Sequence, residues 1–253
     1  MARSTNQAAT PCAGSGFVLA FRLALILANG ELGDLDVARA RLAQRAPDVV
    51  IAADGGAGYA SLLGLQLDAL VGDLDSATPE ESTRLTESGT ELMRRPREKD
   101  ETDLELALLY AFGRGAEEAI VLGAAGGRID MTLANVLLLL HPALAGRRIR
   151  LWVGRQTAYL LRPPGGEIDG AAGDAVSLIP LQGDAQGVTT HGLAFSLAAE
   201  TLGSGPARGV SNRIAGPDPS VELTSGALLV VHTPQDELPG SSRLPGTSRG
   251  GPP

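Results

Sequence analysis

Between about residues 22 and 153 short apolar runs alternate with helical patterns, and this alternation limits the fold more than any other feature of the chain. The runs LALILA (23–28), DVVIAA (48–53), DALVG (68–72), TELMR (90–94), AIVLGA (119–124) and RIRLWVG (148–154) have the length and unbroken hydrophobicity of strands buried on both faces. Helical patterns fill the gaps, at 36–46, 57–65, 79–89, 100–113 and 130–144. Strand and helix in strict turn imply a parallel α/β sheet with right-handed crossovers, a Rossmann-like layout.

After Gly154 the pattern changes to short strand-like runs split by Gly and Pro with little helical periodicity, which reads as a small all-β sandwich or barrel. The expected organisation is a flexible leader over 1–20, an α/β domain over 21–154, a β domain over 155–234 and a disordered Pro/Gly/Ser-rich tail over 235–253. The apolar stretch 16–30 is interrupted by Arg22 and is too short to span a bilayer, so its second half is read as the first strand.

Charge narrows the partners. With 29 acidic and 21 basic residues the chain carries a net charge of −8, and its aromatics are four Phe, three Tyr and one Trp. That lacks the basic footprint and stacking platforms of a nucleic-acid binder. A single cysteine, Cys12, excludes an internal disulfide and fits a reducing, cytoplasmic setting. One Cys with His141, His191 and His232 offers no zinc set.

In an open parallel sheet ligands bind beyond the carboxyl ends of the strands. That rule gathers Asn29 and Gly30, Asp54 with Gly55 and Gly56, Asp73 and Asp75, Asp100 and Asp103, and Arg128 with Asp130 onto one rim. Individually these have plain structural readings: Asp100 and Asp103 as helix cap and first-turn acid, ADGGAG as a turn. Together, six aspartates on one edge repel unless a cation neutralises them, and carboxylates suit Mg²⁺, which takes one or two of them plus substrate phosphates. Asp73 and Asp75, two apart in extended backbone, point the same way and can share one ion. GAAGGRID lacks the Lys-Ser/Thr of a P-loop and the G-x-G-x-x-G of a dinucleotide site.

Four ordered stretches, ADGGA (53–57), GDLDS (72–76), KDETDLELAL (99–108) and GAAGGRIDMTLANVLLL (123–139), resemble the thiamine pyrophosphokinase family, as do the later GVSN (209–212) and GALLVV (226–231). The resemblance implies an α/β catalytic domain joined to a β-sandwich, a homodimer with thiamine bound between subunits, and transfer of diphosphate from ATP to thiamine with release of AMP. It implies Asp73, Asp75 and Asp103 as magnesium ligands, and Asp54, Asp100, Arg128 and Asp130 lining the nucleotide and reaction centre. Asn29, Gly55 and Gly56 complete the nucleotide contacts, and Ser211 with Asn212 hold the thiamine pyrimidine. Asp100 is the chosen acceptor of the hydroxyl proton. Two departures stand out: Met131 occupies the position where the family's GGRxDH motif implies histidine, and no aromatic follows Ser211-Asn212 to cover thiamine. A diphosphokinase for another hydroxymethyl heterocycle such as a pterin, and a non-catalytic nucleotide or thiamine binder, are the rival readings.

Overall fold

The computed structural model describes residues 23–74 and 78–235. The leader 1–20, Asp75 and the tail beyond Gln235 lie outside the described residues.

Six strands, β1 (Leu23–Leu27), β2 (Val49–Ala53), β3 (Ala69–Gly72), β4 (Glu91–Arg94), β5 (Glu118–Leu122) and β6 (Arg148–Val153), run parallel in the order β4-β3-β2-β1-β5-β6. β1, β2, β3 and β5 are buried along their whole length, as continuous apolar runs between helical layers must be. Helices α1 (Leu35–Gln44), α2 (Ala57–Leu63), α3 (Pro79–Glu87), α4 (Asp103–Gly113) and α5 (Ile129–Leu137) connect them. Side chains alternate between two cores. Ala24, Ile26, Ile51, Val71 and Val121 meet α4, whereas Leu25, Leu27, Val50 and Leu122 meet α1 and α2.

Two helix ends differ from the sequence expectation. α4 starts at Asp103, not at Asp100, because Thr102 is the N-cap and its Oγ1 accepts the Glu105 N–H at 3.1 Å. A Thr-x-x-Glu spacing outcompetes an aspartate two residues earlier. α5 stops at Leu137, and two 3₁₀ turns, Leu138–Leu140 and Pro142–Leu144, replace the expected continuation to 144. His141 precedes Pro142, whose ring disfavours helical backbone at the residue before it.

The β region is β7 (Gln156–Leu161), β8 (Gly165–Glu167), β9 (Ala175–Pro180), β10 (Ala185–His191), β11 (Glu200–Leu202), β12 (Asn212–Arg213), β13 (Ser220–Glu222) and β14 (Leu228–Thr233). β6 turns through Gly154 and Arg155 into β7 and pairs with it antiparallel, so the parallel sheet continues as β6-β7-β14-β9-β12 into one ten-stranded sheet. A second sheet, β11-β10-β13-β8, packs on this extension around Val176, Leu178, Val188, Val221, Leu228 and Val230. The result is a sandwich grown from the edge of the α/β sheet.

Arg41 of α1 holds the turn where the two parts meet. Its guanidinium donates to Gly154 O at 2.7 Å, Gln156 O at 3.0 Å and Thr157 Oγ1 at 2.6 Å, and lies 3.9 Å over the Trp152 ring. Burial, followed by the nearby charges of Arg155 and Arg150, pulls its pKa down to about 10, so it remains cationic at neutral pH.

Asp174 fastens the far end of the sandwich. Its two carboxylate oxygens accept Ala171 N–H at 2.8 Å and Gln235 N–H at 2.9 Å, and His232 Nε2 lies 2.8 Å away. Burial alone would raise this carboxyl, but the hydrogen bonds outweigh it and hold it below the ordinary aspartate value. A depressed folded pKa stabilises above the unfolded value of about 3.9, and that contribution is lost as pH falls through the folded pKa. Asp174→Asn sets an amide NH₂ against one of the two N–H donors. The expected cost at pH 7 is about 1–3 kcal/mol, and urea titrations at pH 7 and pH 3 should show the difference from wild type shrinking at the lower pH.

Candidate active site

Strand order reverses between β1 and β5, and the crevice outside their carboxyl ends is where such sheets take ligands. A cleft of about 480 Å³ opens there, lined among others by Asn29, Asp54, Tyr59, Thr102, Asp103 and Arg128. A larger cavity of about 550 Å³ lies by the amino end of β6 and holds none of the predicted site residues.

The floor of the cleft is backbone packed on backbone. Ala28 N–H donates to Leu122 O, Gly30 N–H to Gly123 O and Glu31 N–H to Ala125 O, each at 2.8 Å. A Cβ on Gly30 would fall 2.3 Å from Gly123 O, and one on Gly56 would fall 2.0 Å from Leu27 O. Both positions therefore exclude any side chain. Gly55 lies against the Asn29 side chain, where a Cβ would come within 2.6 Å of its Cγ. Buried Asn135 donates from Nδ2 to Ala124 O at 2.8 Å, and Tyr59 OH donates to Gly30 O. Glu31 Oε1 accepts Gly127 N–H at 2.9 Å, which fixes the loop preceding Arg128. Tyr59, Glu31 and Asn135 are absent from the sequence-derived site. Tyr59 and Asn135 lie inside helical patterns, where an aromatic or amide carries no signal of its own, and Glu31 is a single loop carboxylate whose partner, Gly127 N–H, is 96 residues away.

Asp54 holds a left-handed backbone, φ 43°, unusual for a residue with a side chain. Its Cβ abuts Gly72, where an added Cβ would lie 3.1 Å away, so Asp54 and the tip of β3 are direct neighbours. Asp73 follows that tip and is half-buried. Asp103 is the first residue of α4, and its Oδ1 lies 2.6 Å from Lys99 Nζ. Arg128 and Asp130 are paired with each other, Nε to Oδ1 at 3.1 Å, and both are exposed. The hydrogen bond from Arg128, joined by that of Met131 N–H, lowers the Asp130 carboxyl from its ordinary value. Asp100 is exposed on the bend before α4 and does not line the cleft.

Among the described residues, no three Asp, Glu, His or Cys side chains lie close enough together to hold a metal ion. The donor chemistry nevertheless fits magnesium, because Asp54 and Asp103 line one cleft and supply oxygen, and Mg²⁺ needs only one or two carboxylates. Asp73 is not among the residues that line the cleft and follows Gly72, which abuts Asp54.

At the β end, Ser211 is exposed with φ 62° and its N–H donates to Ser177 Oγ at 3.1 Å. Asn212 is buried and its amide clasps the backbone of Phe195: Oδ1 accepts Phe195 N–H at 2.9 Å, and Nδ2 donates to Phe195 O at 2.7 Å. The clasp presents a Phe195 ring that is 70% exposed. The aromatic missing after Ser211-Asn212 in sequence is thus brought beside them in space from seventeen residues upstream. Trp152 is 6% exposed and belongs to the core, as its strand position implies.

Family comparison agrees with this layout. The catalytic-domain model of thiamin pyrophosphokinase matches residues 40–153, and the vitamin B1 binding domain model of the same family matches residues 167–228. The chain belongs to the thiamin pyrophosphokinase family. A thiamine pyrophosphokinase of Bacillus subtilis (strain 168) is 29% identical over 165 residues, 64% of this chain and 76% of that protein. The crystal structure of a thiamin pyrophosphokinase family protein from Enterococcus faecalis is similar with a TM-score of 0.69 at 26% identity, covering 84% of this chain and 98% of that one. The thiamine pyrophosphokinase crystal structure from Bacillus subtilis shares the fold with a TM-score of 0.73 at 23% identity, over 84% and 99% of the two chains. Within a thiamin pyrophosphokinase the Met131 departure gains weight, because Met131 lines the cleft and a thioether there donates no hydrogen bond.

Proposed function

We propose that the cleft between β1 and β5 binds ATP with magnesium, that Asp73, Asp75 and Asp103 hold the metal, and that the enzyme acts as a cytoplasmic homodimer. As a thiamine pyrophosphokinase the chain makes thiamine diphosphate and AMP from thiamine and ATP. The observation that carries the site assignment is the meeting of Asp54, Asp103 and Arg128 in one cleft at the reversal of strand order.

Magnesium, when bound, neutralises phosphate charge and so lets an acidic protein accept a polyanion. The chain's own residues do the rest. Close-packed backbone at Gly30 and Gly56, with Gly55 seated against the Asn29 side chain, draws the ends of β1 and β2 together and positions the nucleotide. Arg128 offers a guanidinium fork to phosphate in exchange for Asp130. Asp100 stands outside the cleft lining, exposed on the bend two residues before Thr102, and is the carboxylate assigned to take the thiamine hydroxyl proton as the acceptor enters from the cleft's outer edge.

Thiamine is assigned to the β sandwich, with Ser211 as its polar contact, the Phe195 ring as its cover, and Asn212 positioning Phe195. A second subunit brings this surface to the cleft. In support, α5 leaves Ile129, Leu133 and Leu137 at 78%, 57% and 52% exposure on one stripe, an apolar surface of the kind that marks an interface. Among the described residues no helix is long and apolar enough to cross a membrane.

The test offers thiamine and a hydroxymethylpterin as competing acceptors to wild type and Phe195→Ala. Wild type should use thiamine alone. Loss of the ring should raise KM for thiamine by about tenfold with a smaller effect on kcat. Equal use of the pterin, or an unchanged KM, contradicts this assignment of the acceptor site.

A further inference from the structure

Of the 21 basic side chains in this sequence, 20 are arginines and one is a lysine, Lys99. The single ammonium stands at the rim of the catalytic cleft, with Nζ 2.6 Å from Asp103 Oδ1, and its side chain is only 13% exposed. The two groups are chemically distinct. A guanidinium binds a carboxylate through a rigid two-pronged fork, whereas an ammonium is a compact charge on a flexible stem that can pass from one oxygen to another.

Lys99 meets the cleft through Asp103, and the cation that lines the cleft itself, Arg128, is likewise held on an aspartate, Asp130. Both cations therefore rest on local carboxylates. Of the two acids, only Asp103 lines the cleft and is a proposed metal ligand. A divalent cation reaching Asp103 competes with the ammonium for the same carboxylate and repels it at short range. The strongest new anion within the cleft would be the phosphate chain of the nucleotide.

We propose that Lys99 is an exchangeable counter-cation, its ammonium neutralising Asp103 in the resting protein and moving onto a nucleotide phosphate oxygen when a divalent cation takes the carboxylate. The inference rests on the assignment of the cleft to magnesium and ATP. It gives Asp103 a charge partner at every stage, and it places a second cation on the phosphates where charge shifts during transfer. An arginine at this position would be held by its fork and would not make the exchange.

Because Lys99 is the sole lysine, acylation of ε-amines reports on one position, read as a single modified peptide by mass spectrometry. In wild-type protein treated with chelator, Lys99 should react slowly. Mg²⁺ alone should raise its rate severalfold, and Mg²⁺ with a non-hydrolysable ATP analogue should bring it back down. A rate indifferent to Mg²⁺ overturns the proposal. So does a rate that stays high with the analogue while the analogue raises Tm. If the analogue with Mg²⁺ leaves Tm unchanged, the nucleotide assignment itself falls, and the Lys99 proposal with it.

A nucleotide-free measurement separates the two ideas further. Mn²⁺ titrated into folded protein and followed by electron paramagnetic resonance should bind severalfold more tightly to Lys99→Gln than to wild type, and no more tightly to Lys99→Arg. Equal affinity in wild type and Lys99→Gln overturns the exchange.

Discussion

Asp73→Asn is expected to lower the rate of thiamine diphosphate formation by on the order of 10³-fold, the scale seen when one preorganised electrostatic group is lost from an active site. Asp73 is half-buried and follows Gly72, the tip of β3 that abuts Asp54, and the change to Asn keeps its volume while removing its charge. A neutral amide is a poor ligand for a hard cation and cannot replace the carboxylate. The change adds no volume to the turn after β3, so far-UV circular dichroism should stay near wild type and separates loss of turnover from loss of fold. Initial rates at saturating ATP and thiamine, measured over a range of Mg²⁺, provide the check. Loss that excess Mg²⁺ partly restores is the expected pattern, and near wild-type turnover would remove Asp73 from the metal site.

Gly56→Ala carries the second large effect, and it acts on the scaffold. Gly56 is buried where the turn after β2 crosses the end of β1, and a methyl group would sit 2.0 Å from Leu27 O. Real Cβ atoms do not approach carbonyl oxygens so closely, so β1 and β2 would have to separate at their carboxyl ends. Overpacking of this kind costs about 1–3 kcal/mol and occasionally more, and here the moving part is backbone, which places the expectation at the upper end. Chemical denaturation measures the stability loss. The same separation displaces Asn29 and Asp54, so nucleotide affinity should fall together with stability. Gly58→Ala, whose added Cβ meets nothing within 4 Å, provides the control and should be close to neutral.

The two effects touch different kinds of information in the sequence. β1, β2, β3 and β5 were legible because strands covered on both faces must be apolar throughout, and that requirement is local. Loops after parallel strands share one edge, and of the residues placed there Asn29, Gly30, Asp54, Asp103 and Arg128 line the cleft. Gly55, Gly56, Asp73, Asp100 and Asp130 do not, because which residues turn inward is set by local loop geometry. The start of α4 was also less legible: Asp100 and Thr102 are both competent caps, and only the reach of Thr102 to the Glu105 N–H decides between them.

Non-local pairing was beyond sequence reading. The change of pattern after Gly154 marks a new layout, yet nothing in residues 154 to 161 announces that β7 joins the edge of the parallel sheet and carries it into the sandwich. Asn212 teaches the same lesson at the site. Its place in GVSN points to ligand contact, while its amide is engaged at both ends by Phe195, so the exposed ring lies upstream of the motif. Lys99 was visible all along in composition, as one lysine among 21 basic residues, but its meaning needed the Asp103 contact.

The central claim is that an acidic rim meets ATP through a divalent cation and passes diphosphate to thiamine. The most direct measurement is a coupled assay of AMP release by wild-type protein with thiamine, run with Mg²⁺ and with chelator. One AMP formed per thiamine diphosphate, only when both Mg²⁺ and thiamine are present, is the predicted result. AMP formation that proceeds in chelator, or that is absent with thiamine and Mg²⁺ while ATP still binds, contradicts it.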